Sequence, residues 1–287
     1  MTESTTRRLL VTGTLAVALG LAAAASTAAP PRLAAVRSWA FAIGSGNLAG
    51  DIRARFAPFD LVVVDGEEAT TAQVGALRAH GTIVLAYLDV GTIEPGRSWF
   101  PRAKPYRLDY WQDWGEWYAN VDARPYRTLI AGSVAPALLA KGFDGLFLDN
   151  VDMTETHAGQ APGMLALVRS LARLVHAHGR YLFSQNGEAV IGPTLPYLDG
   201  WNREDVSGTF DFAAKRYVAV SRSDSVAALA ALRRLRARGL LTLATDYVSR
   251  GNEAATKRAI AAACAAGALP FVTNIDLTRI PRAAQRC

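Results

Sequence analysis

KGFDGLFLDNVD, residues 141–152, passes from a cation and a glycine through an apolar run into a cluster of acids and amide. Gly145, Leu146, Phe147 and Leu148 read as a strand covered on both faces, the pattern of a parallel sheet clothed in helices. Lys141-Gly142 reads as a helix stop. Glycine takes left-handed backbone without a Cβ clash, and a cation suits the negative end of a helix dipole. Asp149, Asn150 and Asp152 then crowd the carboxyl end of the strand.

The same cadence recurs along the chain. His80-Gly81 precedes TIVLAYLDVG, His178-Gly179 precedes RYLFSQNG, Arg238-Gly239 precedes LLTLATDY, and Ala266-Gly267 precedes ALPFVTNID. Less punctuated apolar runs at 38–44, 61–65 and 198–204 complete a set with 82–89, 145–149, 181–186, 240–246 and 269–275. Between them lie helical periods. Met164, Val168, Leu171 and Val175 repeat at helical spacing after Pro162. Val226, Leu229 and Leu232 mark an inner face opposite Arg233, Arg234, Arg236 and Arg238, and Asn252 caps the next helix.

Eight strands alternating with helices predict one α/β domain, a (β/α)8 TIM barrel. An open doubly wound sheet is the rival, but no glycine-rich dinucleotide fingerprint follows the first strand. Residues 92–123 form a long insertion after strand 3.

The first residues read as an address. Arg7-Arg8, an apolar stretch from Leu9 to Ala25 and the small residues 26–29 fit a signal peptide over about residues 1–28, of Sec or Tat type. The apolar stretch is short for a membrane span. The expectation is a secreted domain, residues 29–287, with no stable membrane insertion after signal removal. The whole chain of 287 residues carries a formal charge of +6. Its basic residues are scattered over helix faces without an aromatic-basic RNA motif, so no nucleic-acid partner is expected. The two cysteines, Cys264 and Cys287, either pair in an oxidising compartment or stay separate thiols.

In a barrel the working face is the carboxyl end of the strands. Those ends hold Asp65, Asp89, Asp149 with Asn150 and Asp152, Asn186, Asn202 with Glu204 and Asp205, Asp246, and Asn274 with Asp276. Some of these acids and amides cap turns and helices. As a set they describe an acidic mouth. None of His80, His157, His176 and His178 ends a strand, which argues against a His-rich metal centre, and no cofactor or resident metal is expected. An oxygen-only metal site stays open. Paired carboxylates across a cleft suit glycoside hydrolysis. The insertion carries Trp99, Phe100, Tyr106, Tyr110, Trp111, Trp114, Trp117 and Tyr118. Such rings either stack on sugar faces or form a satellite core under the loop. Trp111 and Trp114 share one face if their segment is helical.

LVVVDG (61–66), IVLAYLDVGTIE (83–94), the aromatic insertion with Tyr118 and Asp122, KGFDGLFLDNVD (141–152), SQNGE (184–188) and WNRED (201–205) resemble glycoside hydrolase family 114, the endo-α-1,4-polygalactosaminidases and their relatives. The resemblance spans roughly residues 38–276. It implies a barrel that cleaves galactosamine-rich polysaccharide, with a catalytic Asp ending strand 4 and Glu ending strand 6. These fall on Asp149 and Glu204, as nucleophile and acid/base. Asp65, Tyr87, Asp89, Asn150, Asp152, Asn186, Trp201, Asp246, Asn274, Trp111 and Trp114 are the substrate-binding candidates. Strand alternation sends Arg203 away from the cleft. A carbohydrate-binding barrel without activity, a hydrolase of another glycan and a divalent-metal hydrolase are the alternatives.

Overall fold

The computed structural model describes Met1 and residues 32–287. Apart from Met1, the expected signal peptide lies outside the described residues. Eight parallel strands form the barrel: β1 (Trp39–Ala42), β2 (Leu61–Asp65), β3 (Ile83–Asp89), β4 (Gly145–Asp149), β5 (Tyr181–Gln185), β6 (Gly200–Glu204), β7 (Leu241–Tyr247) and β8 (Leu269–Thr273). They are hydrogen-bonded in sequence order from β1 to β8. The ladder is open between β8 and β1, where the Trp39 indole N–H donates to the Leu269 carbonyl at 2.9 Å. The barrel is thus nearly closed, and the open-sheet alternative is excluded.

Each expected strand sits where the cadence put it. The five glycines that end helices, Gly81, Gly142, Gly179, Gly239 and Gly267, all have φ between 63° and 97°. The helix Ala161–His176 buries Met164, Val168, Leu171 and Val175. Asn252 accepts from the Ala255 N–H and caps Glu253–Ala265. One face was misplaced. In Arg222–Ala237 the buried stripe is Ala228, Ala231, Leu232 and Leu235, while Val226 is 58% exposed. Alanines carry the contact there, because the helix lies close against the sheet.

Inside the cylinder, register fixes which residues share a level. Asp89 lies beside Asp149, Phe147 beside Phe183, and Gln185 beside Asn202. Below the mouth the barrel is filled by rings: Phe41 packs on Phe147 at 5.1 Å and on Tyr87 at 6.1 Å. Gly145 has no room for a side chain, since a Cβ would sit 2.1 Å from the Tyr181 carbonyl oxygen.

Two sheets decorate the mouth. The insertion after β3 is a three-stranded antiparallel sheet, Thr92–Ile93, Glu116–Ala119 and Arg107–Trp111. A hairpin, Gly208–Asp211 with Arg216–Ala219, follows β6. Among the described residues no helix is long and apolar enough to cross a membrane.

Cys264 and Cys287 are joined, with Cα atoms 5.3 Å apart and a sequence separation of 23. The bond ties the chain end to the helix Glu253–Ala265 and closes a loop whose entropy in the unfolded chain is worth about 3 kcal/mol. Reduction, followed by calorimetry, is expected to lower stability by roughly that amount; an unchanged unfolding temperature would show the bond to be silent.

Candidate active site

A cleft of about 900 Å³ opens at the carboxyl ends of the strands. Asp149 and Glu204 both line it. Each is set by neighbours from the strands alongside. Asp149 accepts from the Tyr87 hydroxyl at 2.7 Å and from the Gln185 amide at 2.7 Å. Glu204 receives the Tyr247 hydroxyl and, at 3.2 Å, the Asn186 amide. Gln185 in turn takes a hydrogen bond from Asn202, whose carbonyl oxygen accepts from Thr245 at 3.1 Å. A polar floor therefore runs under both carboxyls, and its side chains hold one another in place.

The chain leaves the barrel in the same way after three successive strands. Asn150 (φ 55°), Asn186 (φ 49°) and Asp205 (φ 53°) each take left-handed backbone one residue past the ends of β4, β5 and β6. Asn and Asp tolerate this region better than other non-glycine residues. Such backbone is costly, and it persists where surrounding contacts over-determine it. Here the contacts are visible: the Asn150 N–H donates to Asp149 Oδ1 at 2.7 Å, and Asn186 Oδ1 accepts the Glu204 N–H at 3.0 Å.

Protonation separates the two carboxyls. Burial pushes Asp149 up to about 6, against the Tyr87 hydroxyl that pulls it down. Burial pushes Glu204 well above the usual carboxylate range, and the charge of Asp149 pushes it further. Asp149 is thus mostly ionised at neutral pH, and Glu204 holds its proton more tightly than an ordinary carboxyl.

The cleft is acidic. Its lining holds ten carboxylates and a single basic residue, Arg97. Arg97 is not free to attract an anion, because it pairs with Asp65 and Glu94, each at 2.6 Å. Burial raises Glu94 to about 7 despite Arg97, and raises Asp152 to about 6. Among the described residues one set of carboxylates, Asp89, Glu94 and Glu116, comes close enough for a shared cation, with oxygens within 4.8 Å of one another. Their oxygens already have protein donors in Thr92, Asn150 and Arg97.

Of the substrate-binding candidates, Asp65, Tyr87, Asn150, Asp152, Asn186, Trp111 and Trp114 line the cleft. Four do not. Trp201 is fully buried and donates its indole N–H to the Asn186 carbonyl at 2.7 Å. Asp246 is buried and accepts the N–H groups of Ser207 and Gly208. Both belong to the alternation that faces the helices, whereas Asn202, Glu204, Thr245 and Tyr247 face the barrel axis. Asp89 is 2% exposed and ties down the loop after β3 through Gly91 and Thr92. Asn274 closes the turn after β8 by accepting from Thr278 and Arg279. Arg203 pairs with Glu188 at 2.8 Å and is absent from the lining, as alternation required.

Gln185, Tyr247, Arg97 and Glu116 line the cleft and were not among the candidates. Counting alternation back from Asp149's strand neighbours would have reached Gln185, and one further step along β7 would have reached Tyr247. No local pattern marks Arg97 or Glu116. Trp111 and Trp114 do not share a helix: Trp111 ends an insertion strand and Trp114 sits in the turn that follows, their rings 6.3 Å apart edge to face. Trp111 stacks on Tyr118 at 5.3 Å, and Trp114 meets Phe212 of the second hairpin at 5.2 Å. Trp99, 3% exposed, belongs to the core, and Trp117 lies under the Arg107 guanidinium at 4.5 Å. The aromatic cluster is thus part platform and part satellite core.

The profile of glycoside-hydrolase family GH114 matches residues 20–287. The chain belongs to that family. It is an O-glycosyl hydrolase by family and fold. The glycoside hydrolase domain of PelA from Pseudomonas aeruginosa superposes with a TM-score of 0.73 at 25% identity, over 85% of this chain and 96% of that one. Ega3 of Aspergillus fumigatus, solved with galactosamine, has a TM-score of 0.67 at 16% identity, covering 88% and 95%, and is alike in fold. An uncharacterized protein of Deinococcus radiodurans is 28% identical over 268 residues, 87% of this chain and 84% of that one.

The raised carboxyls make stability depend on pH. Asp89, Asp149, Asp152 and Asp246 are pushed up to about 6 and Glu94 to about 7, from unfolded values near 4. The folded chain then holds more protons than the unfolded chain between about pH 4 and 7, so unfolding free energy falls as pH rises through that window. His176, raised by Asp199, acts in the same direction. Urea midpoints are expected to be higher near pH 5 than near pH 8; the reverse order would contradict these assignments.

Proposed function

We propose that this GH114 enzyme cleaves α-1,4-linked galactosamine-containing polysaccharide outside the cell, by a retaining mechanism with Asp149 as nucleophile and Glu204 as acid/base. The observation that carries the reading is the pairing of a split acid pair with a cleft of ten carboxylates whose one cation is already neutralised. A polymer of amino sugars is cationic where its nitrogens are free, and an acidic cleft concentrates it even though the chain as a whole is basic. Ega3, alike in fold, was solved with galactosamine.

In the first step the Glu204 carboxyl gives its proton to the departing glycosidic oxygen while an Asp149 oxygen bonds to the anomeric carbon. In the second, the Glu204 carboxylate takes a proton from water, whose oxygen displaces Asp149. The Tyr87 and Gln185 hydrogen bonds hold one oxygen each of the Asp149 carboxylate and favour its charged form. Trp111 and Trp114 offer apolar ring faces at the rim. The joined cysteines and the residues 1–28 expected to be a signal peptide support export into an oxidising compartment.

Asp149→Asn and Glu204→Gln are each expected to lower reducing-end release from partly deacetylated α-1,4-polygalactosamine by about 10²–10⁴-fold. With an aryl α-galactosaminide, whose leaving group needs no acid, Glu204→Gln should recover turnover and Asp149→Asn should not. The first anomer seen by NMR should be α. A β product excludes the retaining course, and wild-type rates in both variants exclude the pair. N-terminal sequencing of the secreted protein is expected to begin near residue 29; an intact residue 1 on the mature protein would argue for a retained anchor.

A further inference from the structure

Glu116 stands on the insertion sheet, opposite Trp111, and faces the cleft. Its carboxyl Oε2 meets the Thr92 hydroxyl, and that same hydroxyl meets Asp89 Oδ2. A threonine hydroxyl has one proton to give. Both contacts are hydrogen bonds only if one of the flanking carboxyls supplies a proton of its own. Asp89 takes the N–H groups of Gly91 and Thr92 at 3.0 and 2.8 Å and the Asn150 amide at 2.6 Å, a set of donors that suits a charged carboxylate. Among the described residues the Glu116 carboxyl makes no hydrogen bond besides that to Thr92. The extra proton therefore belongs to Glu116, which donates to Thr92, which donates to Asp89.

The chain of contacts ends at the reacting group. Asn150 gives its side-chain amide to Asp89 and, at 3.2 Å, to Thr92 Oγ1, and its backbone N–H to Asp149 Oδ1. Its left-handed conformation (φ 55°) aims that N–H. We propose that Glu116 is a positioning residue: its neutral carboxyl closes a hydrogen-bonded clamp through Thr92 and Asp89 onto Asn150, and the clamp holds Asp149 in its working orientation. The inserted sheet is thereby coupled to the chemistry rather than only roofing it.

The carboxylates facing Glu116 all favour its neutral form. Burial raises its pKa to about 9, with help from the charges of Asp89, Glu94 and Asp149 and against the Thr92 hydrogen bond. Arg97, the cation nearby, is engaged by Glu94 and Asp65.

The inference rests on Asp149 as the reacting carboxylate, so Asp149→Asn is measured alongside; full activity in that variant overturns the reading and the clamp with it. With Asp149→Asn inactive, Glu116→Gln, whose amide donates in place of the acid, is expected to keep kcat within about threefold of wild type. Glu116→Ala and the isosteric Thr92→Val are expected to lower kcat by roughly ten- to a hundredfold with little change in KM. A packing role alone would leave Thr92→Val near wild type. An infrared difference spectrum of wild type against Glu116→Gln should show a carboxylic-acid carbonyl band at neutral pH that titrates away near pH 9. An ionised Glu116 at neutral pH, a Glu116→Gln loss as large as that of Glu116→Ala, or a fully active Thr92→Val overturns the clamp while leaving Asp149 in place.

Discussion

Carboxyl groups crowded at the end of an apolar cylinder, with one cation among them, cannot all be ionised at neutral pH. Burial penalises each charge and neighbouring charges penalise one another. The mouth of this barrel meets that constraint in three ways. Arg97 neutralises Asp65 and Glu94. Backbone N–H groups solvate Asp89 and Asp246. Glu204 and Glu116 meet the constraint by holding their protons more tightly than an ordinary carboxyl does. The same constraint that costs stability at high pH supplies the acid that the proposed mechanism needs near Asp149.

The barrel itself was legible because its punctuation is local. A helix that stops on a left-handed glycine and restarts as an apolar strand leaves its mark in adjacent residues, and Gly81, Gly142, Gly179, Gly239 and Gly267 all take that conformation. The site was legible only in part. Asp149 and Glu204 stand at strand ends and line the cleft, but Asp246 and Trp201 were candidates on the same ground, and alternation turns them toward the helices. Position along a strand tells how high a residue sits in the barrel; parity tells whether it faces in. Glu116 and Arg97 were beyond either rule, because they arrive from a separate small sheet and a loop whose placement depends on tertiary packing. The aromatic insertion was misread where helix spacing was entertained for Trp111 and Trp114, since a hairpin can also bring two such rings together.

Charge segregation reconciles a basic chain with an acidic cleft. The chain carries a net +6, yet ten carboxylates line one face of it. The exposed arginines of Arg222–Ala237 lie on the outer helices, where water screens them. The field a substrate meets is that of the cleft, where low-dielectric walls confine it.

The cationic substrate proposed above also raises a problem that the arrangement of causes answers. An ammonium entering the cleft favours ionised carboxyls and so weakens any acid that is kept protonated by neighbouring charge alone. For Glu204 burial is the larger cause and the charge of Asp149 the lesser. Sugar rings filling the cleft displace water and deepen that burial, so substrate binding offsets with one hand what its charge takes with the other. Asp149 stands differently. Its pKa rests on a balance between burial and donors from Tyr87, Gln185 and Asn150, and a nearby cation moves it further toward the ionised form that the proposed attack requires. Burial raises both carboxyls. The two diverge because the donors around Asp149 hold its rise to about 6, while the charge of Asp149 adds to the rise of Glu204.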